Sequence, residues 1–345
     1  MVKLAEIAKE SGFSIPVVSR VLSPKPHKDA RVADETRKHI REIAGRLGYR
    51  PNRAAEFLKR GKNPVIGCFL PARADALLAR LMKGIGEEAE KKNFPLAFYF
   101  NVDKNSYLEF ITRSRQSRNC GIITYPYFKM DPEIEALITA YQNDGGKMIL
   151  IEGGSRNWQW RGCTSVSIDN YHGGRLAAEY LLAKKVSHLW TRAYDYIPER
   201  ITGFSDTVAA AGKQIEVLDT SAVVGSGDIL NSISIAAAGF LATRIHDFLQ
   251  YSTEGPVGVY LPNDQEASYL MHRLLELNVK VGKEVLIVGY NGLYLTESIQ
   301  PLLTTIKQPF EKVGAYAVEK LVAMIYGVPA KSILVKPELI PGKSA

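Results

Sequence analysis

The sequence predicts an N-terminal all-α helix-turn-helix head followed by an α/β sensor of two subdomains, each a doubly wound parallel sheet. Three observations predict this organisation: apolar residues at helical spacing in the first fifty positions, net charge confined to the first sixty, and alternating strand and helix patterns from residue 65 onward. Such alternation is typical of parallel sheets covered by helices on both faces. The 345 residues are enough for two or three domains with substantial cores.

The net charge of the chain lies in its N-terminal block. Residues 2–62 contain 15 Lys and Arg and 7 Asp and Glu, so their net charge of +8 equals the formal charge of the whole chain. Residues 63–345 contain 29 residues of each sign. A short basic block on a neutral body favours a polyanionic partner, and double-stranded DNA is the natural candidate. On charge alone, a merely solvated basic surface stays open as the alternative.

Two short helices separated by a glycine-containing turn are predicted within residues 4–22. Ser11-Gly12 ends the first helix, and Ser14 is predicted to cap the second. Pro16 is tolerated because the N–H that it lacks would have had no partner in the first turn. The inward face consists of Leu4, Ile7, Ala8, Val17, Val18, Val21 and Leu22. The opposite side of the second helix, available to a major groove, consists of Ile15, Pro16, Ser19 and Arg20.

A third helix is predicted at residues 34–47, ended by Gly48. One face of it carries Ile40, Ile43, Ala44 and Leu47. Residues 49–59 form a further short helix candidate, which is followed by Gly61 and Pro64. A segment of this length is too short to be stable alone, so we expect it to fold when it docks. The predicted head therefore covers residues 1–50, and residues 51–63 form a hinge helix and linker.

Composition argues against several other classes of protein. Hydrophobic residues make up 46% and charged residues 23% of the chain, both ordinary for a globular protein. The N-terminus lacks the apolar core of an export signal and no apolar run is long enough for a membrane span, so a cytoplasmic location is expected. The three cysteines are widely spaced without a C-x-x-C pair, and common catalytic and phosphate-loop motifs are absent. We therefore expect no metal site, no cofactor and no enzymatic activity.

Strands and helices alternate through the sensor, residues 64–345. Strands are predicted at 65–70, 96–101, 121–125, 147–152, 165–168, 188–193, 257–261 and 284–290. Amphipathic helices are predicted at 77–92, 132–143, 173–183 and 264–277. This length exceeds one small sheet, so we expect two similar subdomains that face each other across a cleft at the carboxyl ends of their strands. The residues at or near the ends of these strands are mostly polar or aromatic, and they do not form a catalytic set. They include Pro71, Tyr125, Arg200, Asn263 and Asn291.

Several of these residues have a second interpretation. Asn263 and Asp264 precede a helix, so Asp264 is expected to cap it while Asn263 faces the cleft. Asp169-Asn170 is expected to cap the helix at 173–183 rather than to bind a ligand. Trp158 and Trp160 could stack on a sugar ring, or they could be ordinary packing residues.

The stretches VKLAEIAKESGFSIPVVSRVL and LGYRPNRAAEFL resemble the head and hinge of the lactose/galactose repressor (LacI/GalR) family of bacterial transcription regulators. The similarity continues through SVSIDNYHGGRLAAEYLL, ERITGF, LPNDQEASYLMHRLLELNVKVGKEVLIVGYN and PLLTTIKQPFEKVGAYAVEKL, and so covers nearly the whole chain. It implies a periplasmic-binding-protein-like sensor. It also implies that Ser19 and Arg20 face DNA, that residues 15 and 16 select bases, and that Leu58 enters the minor groove. The full DNA-binding set that we predict is Ser14, Ile15, Pro16, Ser19, Arg20, Asn52, Arg53, Ala55 and Leu58.

The resemblance also implies an effector site. Arg200, three residues before Gly203-Phe204, would hold the effector together with Asn263. This chain departs from the family at Asn291, where Asp is usual, and at Ile229, where an aromatic residue is frequent. Val17 replaces a usual Thr, and the loop at residues 23–32 is longer than usual. The predicted effector-binding set is Pro71, Tyr125, Arg200, Ile229, Asn263 and Asn291.

Together these features predict a homodimeric DNA-binding regulator, a repressor, controlled by a sugar or sugar derivative bound between the subdomains. Subdomain 1 is predicted at about 64–166 plus 296–327, and subdomain 2 at about 167–295 plus 328–345. Without a heptad pattern at the C-terminus, a coiled-coil tetramer is not expected. The alternative from another class is a cytoplasmic sugar-binding protein or sugar-modifying enzyme with an incidental basic N-terminus. Induction and co-repression by the effector both remain open.

Overall fold

The computed structural model describes residues 2–23, 32–49, 57, 61–72, 75–125, 131–152, 163–193, 197–220, 232–251, 255–293 and 300–345. Within these ranges, no helix has the length and apolar character needed to cross a membrane. Some predicted or candidate site residues lie outside the described residues, namely Asn52, Arg53, Ala55, Leu58, Trp158, Trp160 and Ile229.

The head consists of three helices, α1 (Leu4–Ser11), α2 (Ile15–Val21) and α3 (Asp34–Arg46). Their apolar faces form one small core in which Ile7, Val18 and Ile40 are fully buried. Gly12 ends α1 at φ 74°, a left-handed conformation that glycine adopts without strain. The predicted helix-turn-helix and the third helix are therefore confirmed.

Ser14 occupies the predicted cap position directly before α2, but its side chain makes no capping hydrogen bond. A capping hydroxyl accepts from the second or third N–H of a helix. Pro16 is the second residue of α2 and has no N–H, so one of the two donors is missing.

The first subdomain is built on a six-stranded parallel sheet. Its strands are β1 (Asn63–Leu70), β2 (Leu96–Phe100), β3 (Asn119–Thr124), β4 (Met148–Ile151), β5 (Thr164–Ile168) and β11 (Ile333–Val335), in the order β11-β5-β4-β3-β1-β2. Helices α4 (Ala76–Lys91) and α11 (Phe310–Ile325) cover one face. Helices α5 (Lys104–Gln116) and α6 (Pro132–Asn143) cover the other face. The inner strands β3 and β4 are buried on both sides, which explains their continuous apolar runs.

The second subdomain repeats this architecture. Its strands are β6 (His188–Arg192), β7 (Glu216–Leu218), β8 (Val257–Tyr260), β9 (Val285–Asn291), β10 (Thr304–Lys307) and β12 (Glu338–Ile340), in the order β12-β10-β9-β8-β6-β7. All neighbours are parallel except β10 and β12, which are antiparallel. Helices α7 (Asn170–Ala183) and α8 (Pro198–Ala210) pack on one face, and α9 (Ser232–Tyr251) and α10 (Asp264–Glu276) on the other. The predicted doubly wound fold is confirmed.

The eight predicted strands agree with the observed ones to within two residues, but β7, β10, β11 and β12 were not predicted. These four strands have only three or four residues each. Runs of that length carry little periodic signal, and pairing with neighbours makes them strands.

The predicted division of the sensor needs correction at its C-terminal part. Strand β10 lies within 296–327, assigned to subdomain 1, yet it pairs with β9 in the second sheet. Strand β11 lies within 328–345, assigned to subdomain 2, yet it pairs with β5 in the first sheet. The chain therefore crosses between subdomains after β5, after β10 and after β11. Local pattern could not reveal this exchange, because hydrogen bonds to distant strands decide it.

Candidate functional site

The outer face of α2 carries the predicted base-contacting side chains. Ile15 is 47% exposed. Ser14, Pro16 and Arg20 are also exposed, whereas Ser19 is half-buried. Val18 and Val21 on the opposite face fill the head core, so the amphipathic pattern fixes which side of α2 is available. This exposed face carries one basic side chain, Arg20, and suits contact with a groove of double-stranded DNA.

A second candidate site lies at the carboxyl ends of the strands in the second subdomain. Arg200 is its centre and is only 3% exposed in α8. Its Nε donates to Asn170 Oδ1 at 3.0 Å, and its Nη1 donates to the Pro262 carbonyl at 2.6 Å. Nη1 also lies 3.5 Å from Asn291 Oδ1, and the guanidinium lies 3.8 Å from the centre of the Tyr290 ring. Because three other segments contact Arg200, its donors have defined directions in the structure.

Two glycines allow α8 to approach α7 closely enough for this arrangement. A Cβ at Gly174 would lie 2.0 Å from the carbonyl oxygen of Arg200. A Cβ at Gly203 would lie 2.1 Å from the carbonyl oxygen of Tyr171. Larger residues would separate the helices, so these glycines help to place the Arg200 side chain against Asn170.

Asn291 connects Arg200 with the boundary between the subdomains. Its Oδ1 accepts from Gln308 Nε2 at 2.6 Å, on the connection from β10 to α11. Asn291 has φ 127°, a region that residues other than glycine rarely adopt. Backbone strain of this kind is found preferentially at functional sites. The structure thus brings Arg200 and Asn291 together, as expected.

The expectation that Asp264 caps the helix is wrong. Asn263 is the cap of α10: its Oδ1 accepts from Glu266 N at 2.8 Å, and its Nδ2 donates to Glu266 Oε2 at 3.2 Å. Asp264 is fully buried and accepts from Leu293 N at 2.8 Å and from the Thr305 hydroxyl. The cap must precede the first helical turn to reach its third N–H, and Asn263 occupies that position. Burial raises the pKa of Asp264 to about 6.

Asn170 and Glu152 also belong to this candidate site, although we did not predict them as ligand-binding residues from the sequence. Asp169 caps α7 as expected, with Oδ1 accepting from His172 N at 2.9 Å. Asn170, expected to share that role, is instead buried, and its Oδ1 also accepts from Tyr290 Oη at 3.1 Å. Glu152 follows β4 at φ 58° and accepts from Ile168 N at 2.9 Å. Its left-handed backbone could not be read from the sequence.

The site contains carboxyl groups as well as the positively charged Arg200. Burial raises the pKa of Glu152 to about 7, and the charge of Arg200 opposes that rise. The same guanidinium opposes the rise at Asp264. One buried arginine therefore lies among two carboxyls, two amides and a tyrosine. Groups that both donate and accept in this way suit a polar ligand with several hydroxyls.

The predicted residues of the first subdomain lie on a different wall. Pro71 is buried directly after β1. Tyr125, after β3, donates its N–H to the Phe69 carbonyl at 2.9 Å, and its ring lies 6.5 Å from the Phe310 ring. These contacts hold Tyr125 in the first subdomain. A cavity of about 280 Å³ has Gly292, Gln308 and Phe310 in its described lining, which does not include Arg200 or Asn291.

A buried ion pair supports the Asn263 side of the site. Arg192, at the end of β6, donates Nη2 to Glu266 Oε2 at 2.7 Å and also donates Nε to the other carboxylate oxygen. Arg192 is 6% exposed and Glu266 is fully buried. Glu266 also binds Asn263, so the pair fixes the cap next to the Pro262 carbonyl that accepts from Arg200. No local pattern predicts this pair, because its members are 74 residues apart in the chain.

Comparisons with known proteins match both parts of the chain. Residues 3–52 match the family of bacterial regulatory proteins, lacI family, and residues 179–345 match the periplasmic binding protein-like domain. The ribose operon repressor of Bacillus subtilis (strain 168) is 26% identical over 331 residues, covering 94% of this chain and 92% of the relative. The sucrose operon repressor of Streptococcus mutans serotype c is 26% identical over 333 residues, covering 94% and 92%.

A solved structure agrees with the fold over the whole length. The Lac repressor dimer bound to operator and the anti-inducer ONPF superposes with a TM-score of 0.65 at 21% identity. The alignment covers 99% of this chain and 98% of that chain. Head and two-subdomain sensor therefore occur together in a protein of known structure.

Proposed function

We propose that the chain is a member of the lacI family of bacterial regulatory proteins and that it represses transcription by binding a specific operator under the control of a small polar effector. The observation that carries the effector part is Arg200, bonded to Asn170 and adjacent to Asn291 near the subdomain boundary. The basic head supplies the other half of the function, because it provides an exposed helix face for a groove.

For the DNA contact, we propose that Ile15 and Pro16 select bases while Ser14, Ser19 and Arg20 contact the groove and backbone. The hinge residues Asn52, Arg53, Ala55 and Leu58 add minor-groove contacts. Two heads related by a twofold axis suit a pseudo-palindromic operator, so the working unit is a homodimer. As a regulator of bacterial genes, it would act in the cytoplasm.

For the effector, we propose a sugar or sugar derivative bound by Arg200 and Asn291, with Pro71, Tyr125 and Ile229 on the remaining walls and Asn263 beside them. The names of the ribose and sucrose operon repressors support this class of ligand. The ligand can change DNA affinity only by its difference in affinity for two sensor arrangements, typically about 1–3 kcal/mol of coupling. Subdomain closure would change the separation of the two heads.

We infer a non-catalytic role for the sensor. The named relatives are operon repressors, and buried arginine with amide partners suits binding rather than bond breakage. Glu152 and Asp264 have raised pKa values, but these carboxyls accept hydrogen bonds from backbone N–H groups and from the Thr305 hydroxyl. Their proposed role is to balance the charge of Arg200.

The test compares Arg200→Ala with Arg273→Ala. Arg273 lies on α10 of the same subdomain, with its side chain 57% exposed and bonded to Glu276. Operator DNA would be selected from random duplexes with the wild-type chain, and binding measured with neutral mono- and disaccharides, beginning with ribose and sucrose. Arg200→Ala should keep operator binding but require at least about 30-fold more sugar, since losing a buried charged partner costs at least about 2 kcal/mol.

Arg273→Ala should behave as the wild type. An unchanged sugar response in Arg200→Ala would contradict the assignment of Arg200. If none of the sugars altered operator affinity in the wild type, the carbohydrate class would be wrong. Failure to select any preferred DNA sequence would contradict the regulatory function itself.

A further inference from the structure

Phe57, in the predicted hinge, is buried in the first subdomain. Its side chain is 1% exposed and belongs to the core formed by α4, α11 and one face of the first sheet. Its ring lies 5.7 Å from that of Phe94, at an interplanar angle of 80°, and 6.4 Å from that of Tyr326, at 67°. Phe94 and Tyr326, themselves 6.5 Å apart, form what we call the aromatic socket. Edge-to-face contacts of this kind favour a defined ring orientation.

The backbone after Phe57 is also attached to the first subdomain. Lys62 donates its N–H to the Phe57 carbonyl at 3.0 Å, and Gly61 has φ 62°. This combination is typical of a helix C-terminal cap. Asn63 donates its N–H to the Arg118 carbonyl at 2.9 Å, and Lys62 Nζ donates to the Asp144 carbonyl at 2.6 Å. Phe57 is therefore held by its side chain and by the segment that follows it.

Helix α11 joins the aromatic socket to the effector site. Gln308, which binds Asn291, lies two residues before α11, and Tyr326 directly follows its last residue. The 16 residues of α11 span about 24 Å at 1.5 Å per residue. A Cβ at Gly84 of α4 would lie 2.0 Å from the carbonyl oxygen of Glu311, so α4 and α11 pack with almost no space between their backbones. The pair can transmit a displacement as one unit.

We propose that Phe57 is a positioning residue: seated in the aromatic socket at one end of α11, it holds the hinge to the sensor and sets where the hinge meets DNA. This inference rests on the proposed function. Leu58, the predicted minor-groove residue, is the next residue, and consecutive Cα atoms are about 3.8 Å apart. Holding Phe57 therefore limits the region that Leu58 can reach. A shift of α11 at the effector site would move this anchor.

The experiment uses the full chain with Phe57→Ala and the matched control Phe110→Ala. Phe110 is 2% exposed in the same subdomain, but it packs on the opposite face of the sheet, among the α5 and α6 residues. Affinities for the selected operator and for random duplex DNA are measured at one salt concentration. Hydrogen exchange at the Lys62 amide is measured without DNA.

Phe57→Ala should lower operator affinity at least 10-fold while random-DNA affinity changes less than 2-fold, and Lys62 exchange should accelerate at least 10-fold. Phe110→Ala should lower stability but leave the operator preference within about 2-fold of wild type. Phe57→Leu, which keeps an apolar side chain, should recover most of the preference. Tyr326→Ala should reproduce Phe57→Ala, and the double variant should be no worse than either single variant.

Unchanged Lys62 exchange in Phe57→Ala would overturn the anchor without reference to DNA. Unchanged operator preference in that variant would overturn the positioning role, as would an equal loss in Phe110→Ala. A wild-type chain with no operator preference would instead contradict the proposed function, while the exchange result would still decide whether Phe57 anchors the hinge.

Discussion

The two subdomains share one architecture but differ in chemistry at the ends of their strands. Each has six strands with helices on both faces. The second subdomain buries Arg192, Arg200, Asp264 and Glu266 near those ends. The first has Pro71 and Tyr125 there, together with the half-buried Glu152. The same fold can therefore supply two similar edges, and a few buried polar residues distinguish the edge that we propose as the ligand-binding wall.

The largest expected effect comes from breaking the buried ion pair of the second subdomain. Glu266→Ala leaves Arg192 buried without its carboxylate and should lower the free energy of unfolding by about 3–5 kcal/mol, measured with urea. The control is Lys104→Ala in the first subdomain, where Lys104 bridges Asp131 at 2.5 Å and Glu133 at 2.7 Å on the surface. This control should leave the urea midpoint nearly unchanged.

Replacing both members of the buried pair tests whether the loss of stability comes from the unpaired charge. Arg192→Met combined with Glu266→Leu should recover most of the stability lost in Glu266→Ala, because no buried charge remains unpaired. Similar small losses for Glu266→Ala and Lys104→Ala would show that the two subdomains do not differ in this respect.

The next effect is a pH dependence with one carboxyl in each subdomain. Burial raises the pKa of Asp264 from its usual 3.8 to about 6, and that of Glu152 from 4.5 to about 7. Because the folded chain binds these protons more tightly than the unfolded chain, the associated stability is complete below about pH 4. It is lost as pH rises through about 6 for Asp264 and about 7 for Glu152. For Asp264 the change is on the order of 3 kcal/mol.

Urea unfolding between pH 4 and 8 measures this dependence. Asp264→Asn should flatten the lower part of the curve, and Glu152→Gln the upper part. If stability instead increased with pH through both windows in the wild type and neither variant changed the slope, the two carboxyls would not hold their protons as described.

The smallest stability effect, about 1–3 kcal/mol, is expected from two matched glycine substitutions. Gly84→Ala would bring a Cβ within 2.0 Å of the Glu311 carbonyl oxygen in the first subdomain, and Gly174→Ala within 2.0 Å of the Arg200 carbonyl oxygen in the second. Thermal unfolding should show similar losses. Only Gly174→Ala should weaken the sugar response directly, because it displaces Arg200. Equal losses of response in both variants would remove the functional distinction between these helix contacts.

Local pattern in the sequence determined much of the fold. The buried faces of α1, α2 and α3 follow from apolar residues at helical spacing, and the eight predicted strands follow from apolar runs. The resemblance to the lactose/galactose repressor family singled out Arg200 by its place in ERITGF and Asn291 by its place after Gly-Tyr. The basic block could be recognised by counting charges. Each of these signals depends on neighbours in the sequence.

Only the tertiary structure decided how these parts meet. Strands β10 and β11 each belong to the other sheet than the one we predicted, because the strands that they pair with are not their neighbours in the predicted subdomains. Asn170 reaches Arg200 across 30 residues, and Asn291 approaches it across 91. In the sequence, Phe57 is an apolar hinge residue with no evident packing partner. In the structure, the rings of Phe94 and Tyr326 pack against it. The spacing of apolar residues predicts which face of a helix or strand is buried. The hydrogen-bond partners of a buried polar group such as Arg200 lie far away in the sequence, so only the folded chain brings them close.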